Sequence, residues 1–276
     1  MSEIICKNCG NNFFGKFCNI CGEKVYTEKD KSVNHILGEG LHFLTHFEGT
    51  FFKTLKTIFT KPGQLSLDYC KGIRKKYFKP LSFFLMLVIL YLLFPVFEGL
   101  NMRLYYHLQH RLYGEYATDE ILHILKEKNI TEQVLADSFH RAGEKISKFL
   151  LFIVIPVMAF FSFIIGNTKR KKFYDHFVFS IEAFSFFILW GSLLFPFILL
   201  LIIKIFGFHS FFDNQLFTGI TILIVYIPYL TLACKRFFCF KWWYCILYSV
   251  LFTAFMFGFL EFIYKFILFL IAIRLA

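Results

Sequence analysis

The feature that most constrains this chain is a succession of apolar runs: Pro80–Phe97, Phe149–Ile165, Phe177–Phe206, Leu216–Ala233, and Trp242 to about Leu260. Each is at least about 17 residues long, the lower limit for a helix that crosses a bilayer. Inside hydrocarbon every backbone NH and C=O must find a partner within the protein, which leaves helices as the solution for runs of this kind. The expected fold class is therefore an all-α polytopic membrane protein with about five transmembrane helices, its transmembrane domain spanning 80–276. The composition agrees, with 42 Phe in 276 residues.

Charge then orients the spans. The net charge of +11 is not spread evenly. Lys71, Arg74, Lys75, Lys76 and Lys79 precede the first run, Lys169–Lys172 separate the second and third, and Lys235, Arg236 and Lys241 separate the fourth and fifth. Residues 98–148 instead mix seven Lys/Arg with eight Asp/Glu. With five crossings all three basic clusters fall on one side, which the positive-inside rule makes cytoplasmic. The expected topology has the N-terminus in, the C-terminus out, and 98–148 as an extracytoplasmic helical insert too short and polar to stand as a domain. Cations arranged in this way point to the lipid bilayer and its anionic headgroups as partners; nucleic acid is not expected.

Ahead of the membrane region stands CKNCGNNFFGKFCNICGEK, Cys6 to Lys24. Cys6, Cys9, Cys18 and Cys21 form two C-x-x-C pairs, each followed by a glycine. Two such turns complete a tetrahedral thiolate shell, and four soft ligands favour zinc. A closed shell is structural rather than catalytic. The expected module is a zinc ribbon over 1–24, folded by its metal, with Phe13, Phe14 and Phe17 either covering the site or facing a partner. Thiolates persist in a reducing compartment, which agrees with a cytoplasmic ribbon.

Residues 25–79 are expected to carry a polar linker, an amphipathic helix in the interface plane over 35–59 ended by Lys61-Pro62-Gly63, and a basic juxtamembrane segment. On that helix His35, Glu39, His42 and His46 would share a face, either as a second metal or proton-active site or as solvated groups at the headgroups. Arg74 and Tyr77, three residues apart, would share a helical face before Pro80, where Arg74 offers a fork to a lipid phosphate or a carboxylate such as Glu182. Glu182 lies about one turn inside the third run and is expected to reach back to Arg170 or Lys172. Thr118 and Thr131 read as caps of helices in the insert. Glu261 and Lys265 read as a helical ion pair where the fifth span emerges.

These pieces resemble a family of uncharacterised bacterial membrane proteins defined only as a domain of unknown function. The resemblance rests on the ribbon's ending Cys18–Glu23, on TLKTIFTKPG (Thr54–Gly63), on a Gly-x-Arg-x-x-Tyr-x-x-Pro motif matched by Gly72, Arg74, Tyr77 and Pro80, and on FIVIPVMAFF and YDHFVFSIEAFSF in the second and third spans. The family often has histidine where this chain has Glu182 and Phe184, which weakens a histidine-based chemistry. The resemblance implies a bacterial inner-membrane location and supplies no activity. No nucleophile–base set, phosphate-binding glycine loop or H-E-x-x-H stands in the sequence. An adaptor or assembly factor whose ribbon docks a cytoplasmic protein partner is the leading reading. A small-solute or ion transporter and a lipid-active enzyme are the alternatives.

Overall fold

A computed structural model describes residues 3–25, 49–93, 102–206 and 215–276. The set His35, Glu39, His42 and His46 and the first half of the expected amphipathic helix lie outside the described residues. The chain divides into two compact units, Met1–Tyr91 with Ile155–Phe252, and Leu92–Val154 with Thr253–Ala276.

In the first unit, β1 (Ile4–Ile5) pairs antiparallel with β2 (Asn12–Phe13) at the start of the ribbon. Helix α1 (Thr50–Thr60) follows, and Thr54, Thr57 and Thr60 return their hydroxyls to carbonyls four residues back. The chain then turns at Gly63, whose φ of 77° lies in the left-handed region open to glycine. A Cβ there would stand 2.6 Å from the carbonyl oxygen of Ala233, so this turn lies against another helix's backbone. Helix α2 (Gln64–Cys70) buries Leu65, Ser66, Asp68, Tyr69 and Cys70, and a second left-handed glycine, Gly72, ends it. Helix α3 (Pro80–Leu93) begins at the proline, as N-terminal prolines favour.

The insert contributes α4 (Leu104–Leu108) and α5 (Gly114–Lys128) before the long α6 (Glu132–Gly166). Helix α7 (Phe173–Phe187) runs through a π-helical stretch, Ile188–Leu194, into α8 (Phe195–Phe206). Helix α9 (Gln215–Phe238) and α10 (Trp242–Gly258) follow, and α10 continues through a second π-helical stretch into α11 (Lys265–Leu275). Four stretches are long and apolar enough to cross a membrane: Phe149–Gly166, Phe173–Ile202, Gly219–Phe238 and Trp242–Leu275. They coincide with the second to fifth runs of the sequence. Pro80–Leu93 is a shorter apolar helix of about 21 Å, at 1.5 Å per residue. The architecture is that of an all-α multi-pass membrane protein with a small cysteine module at its front.

The second unit revises the reading of the insert. Leu104, Tyr113, Ala117, Ile121, Leu135 and Phe139 close a core with Phe269, Ala272 and Ile273 of α11. The fifth helix runs on past Glu261, and its last turns complete an apolar core with the insert's own apolar residues. His107 sits in that core, 2.8 Å from the Tyr113 hydroxyl and flanked by the rings of Phe139 and Phe269. Thr118 is not a cap. Helix α5 starts a turn earlier, at Gly114, and the Thr118 hydroxyl donates to the Gly114 carbonyl inside it. Thr131 does precede α6, and its carbonyl accepts from Leu135. Glu261 and Lys265 form the expected ion pair.

Candidate metal centre and the segment gripped beside it

Each cysteine pair sits in a tight turn closed by the glycine after it: Gly10 NH bonds the Cys6 carbonyl at 2.9 Å and Gly22 NH bonds that of Cys18 at 2.8 Å. Both glycines have positive φ, 78° and 67°. The two turns bring the four sulfurs within 4.8 Å of one another. Cys6 and Cys21 stand 3.5 Å apart at Sγ, and Cys9 and Cys18 3.6 Å. Four thiolates at about 2.3 Å from a tetrahedral zinc would be separated by about 3.8 Å, so the spacing fits a metal, while a disulfide would need about 2 Å. The backbone NH of Cys21, helped by that of Ile20, draws the Cys18 thiol down to about 6, while, against the pull of the Asn11 amide, burial and the neighbouring sulfurs push that of Cys9 up to about 12. Four close cysteines here can bind a metal ion.

The ribbon's own core is Cys6, Phe13 and Cys18, with Ile4, Cys21 and Val25 against it. Phe13 therefore covers the site, whereas Phe14 (62% exposed) and Ile20 (69%) point outward with Ile5 and Phe17. The remaining edge is engaged. Glu23, 3% exposed, accepts hydrogen bonds from the backbone NH of Arg74 (3.3 Å) and Lys75 (2.8 Å), more than fifty residues on. Burial raises this carboxyl above its usual range, and the Lys75 and Arg74 amides oppose the shift. The Lys7 ammonium donates to the Lys71 carbonyl at 3.2 Å.

The loop that Glu23 meets is not the helix that the spacing of Arg74 and Tyr77 suggests. Residues 71–79 form successive turns after the left-handed Gly72, and the two side chains part. Arg74 is buried, donates to the Tyr174 hydroxyl at 2.7 Å, and lies 4.5 Å over the ring of Tyr69. Tyr77 donates to Asp68 at 2.8 Å, a carboxylate that Lys76 and Gln64 also bond. The Thr54 hydroxyl accepts the NH of Phe78, tying α1 to the same loop.

Glu182, expected to reach back to Arg170 or Lys172, is engaged instead at the start of α2. Its carboxylate, 1% exposed, accepts from the NH of Gly63 at 2.8 Å, the NH of Ser66 at 2.7 Å, and the Ser66 hydroxyl. These are the free NH groups of the first turn of α2, so a side chain from α7 serves as that helix's N-terminal cap. Arg170 pairs with Asp175 at 3.1 Å and donates to the Phe237 carbonyl at 3.0 Å. Arg236 donates to the Pro62 carbonyl, and Lys235 to that of Phe240 at 2.7 Å. The basic residues between spans thus bond backbone carbonyls at or just beyond helix ends as well as carrying charge. His176, buried among the spans, bonds Ser162 through Nδ1 at 2.9 Å and the Arg170 carbonyl through Nε2 at 2.9 Å, and Tyr248 completes the set 2.6 Å from Ser162.

Residues 48–92 match the model of a family described as a protein of unknown function, DUF3667. No curated protein and no solved structure matches the chain. The matched segment runs from α1 through the Pro62-Gly63 turn, α2 and the turned loop into α3. Two carboxylates from outside it, Glu23 and Glu182, bond its backbone at either end of α2.

Proposed function

We propose that this protein is a membrane-embedded adaptor or assembly factor whose zinc ribbon docks a cytoplasmic protein partner. The observation that carries the reading is the division of the ribbon's surface. One edge is fixed to the chain's own loop through Glu23, while Ile5, Phe14, Phe17 and Ile20 stand exposed on a module with only a few residues of core. Four large apolar side chains left exposed on so small a fold are available for a partner to cover. Zinc is the metal proposed, because four soft thiolates in a closed tetrahedron suit it and its binding supplies the order of 10 kcal/mol that so small a fold needs. The basic clusters support an N-terminus in the cytoplasm, and the resemblance supports a bacterial inner membrane as the proposed location. The domain boundaries proposed are 1–24 for the ribbon, 25–79 for the linker and juxtamembrane region, and 80–276 for the membrane region, with its insert at 98–148.

The polar groups within the spans favour a scaffold over a transport path or lipid chemistry. Glu182 is engaged in capping α2, and His176 in joining Ser162 to a backbone carbonyl. The test is a photo-crosslinking residue placed at Phe14 or Ile20 of the full chain in cells. One protein adduct, shared by both positions and lost in a Cys18→Ser/Cys21→Ser variant, is the expected result. Adducts with lipid only would refute the adaptor reading. An N-terminal reporter should read cytoplasmic.

A further inference from the structure

The position of Glu23 follows from the knuckle beside it. The residue lies two places after Cys21, and its carbonyl accepts the NH of Cys18 at 2.8 Å, so its backbone belongs to the small hairpin, closed also by the Val25 NH on the Lys16 carbonyl at 2.9 Å, that carries the second cysteine turn. That hairpin has little apolar packing behind it. The ribbon's buried core is Cys6, Phe13 and Cys18, two of them candidate ligands, so without a metal the module lacks the apolar contacts to hold its shape. Its contact with the loop is polar and separable: Glu23 to two amides, Lys7 to one carbonyl, and a cleft lined by Ile5, Val25 and Gly72 beside them. Charge acts in the same direction. Four thiolates around a divalent ion leave a formal charge of about −2, and the Lys75 ammonium lies against Gly22, 2.9 Å from where a Cβ would stand.

We infer that the cysteine centre acts as a metal-responsive latch: a bound soft divalent cation holds Glu23 on the amides of Arg74 and Lys75, and loss of the cation releases the loop. The consequence reaches the helices, because the same loop carries Arg74 to Tyr174 on α7 and over Tyr69 on α2. Glu23 is a positioning residue in this device, and the ligand sensed is the metal itself. The latch stands whether or not the ribbon's apolar face meets a partner.

The experiment is hydrogen exchange on the full chain in detergent, loaded with zinc, stripped by a chelator, and reloaded. Chelation should speed exchange in the peptide containing Arg74 and Lys75 about tenfold or more, as expected when amides lose a charged acceptor. Zinc should restore the protection, and peptides from Gln64–Cys70 should stay protected throughout. Glu23→Ala should still bind one zinc per chain, yet show fast exchange at 74–75 with or without it. Exchange there that ignores zinc, or that is equally slow in Glu23→Ala, would overturn the latch. The parallel crosslinking at Phe14 reports on the partner alone, so the two readings fail separately.

Discussion

Glu23 and Glu182 perform the same operation in different settings. Each is almost wholly buried, and each accepts two backbone NH groups from the segment that runs from Gly63 to Lys75. Glu182 does so from a rigid helix, with the Ser66 hydroxyl as a third donor. Glu23 does so from a ribbon whose shape depends on four cysteines. The contrast teaches that a buried carboxylate is only as permanent as the element presenting it. One grip belongs to the fold, and the other can be let go.

The largest effect expected is for Glu182→Ala, which strands two NH groups and a hydroxyl inside the protein and should cost about 3–5 kcal/mol. Thermal unfolding in detergent and abundance in the membrane measure it. A loss no greater than that of Glu23→Ala would erase the distinction between the two grips.

Acid provides a yardstick outside both grips. Burial pushes His107 down to about 4 from 6.5, and nearby Lys265 and His110 add to the shift. A base with a depressed folded value contributes stability that is complete above about pH 6.5 and is lost as pH falls toward 4. The difference amounts to roughly 3 kcal/mol. Melting temperature against pH should fall across that window, and His107→Phe should flatten the fall.

Arg74→Lys should rank next, at about 1–2 kcal/mol, because an ammonium cannot both bond Tyr174 and stack over Tyr69. Glu23→Ala should move the global unfolding transition by less than about 1 kcal/mol, since its effect is local opening. Smallest is Glu261→Ala. Glu261, like Glu182, stands in an apolar helix, but it is half-exposed and paired with Lys265 and, at 3.7 Å, with His110, and it is worth about 0.3–0.5 kcal/mol at most. A large loss there would show that membrane depth, and not the identity of the partner, sets the cost of removing a carboxylate.

The spans and the cysteine tetrad were legible because their signals are local: an apolar run, or four thiols at fixed spacing. The two carboxylate grips were not legible. They join residues 51 to 119 positions apart, and their donors are backbone NH groups, which every residue but proline supplies. Glu182 stood out as a costly charge in a span, but nothing local marked Gly63 and Ser66 as its partners. Arg74 and Tyr77 misled for a related reason. Their three-residue spacing is helical only if the chain between them is, and Gly72 had already turned it. The core of the insert was hidden too, because Phe269, Ala272 and Ile273 lie more than a hundred residues beyond it.

One consequence of Gly63 is kinematic. Its backbone lies against that of Ala233, with no side chain between to yield, and the adjoining NH groups are bonded to Glu182 on α7. Sliding α9 by a single 1.5 Å step along its axis would drive Ala233 past the turn or tear the turn from α7. At this level the turn ties a backbone contact with α9 to a carboxylate of α7, so travel between the two helices would have to give up one or the other. A cycle that rocks α7 against α9 would have to place its pivot elsewhere.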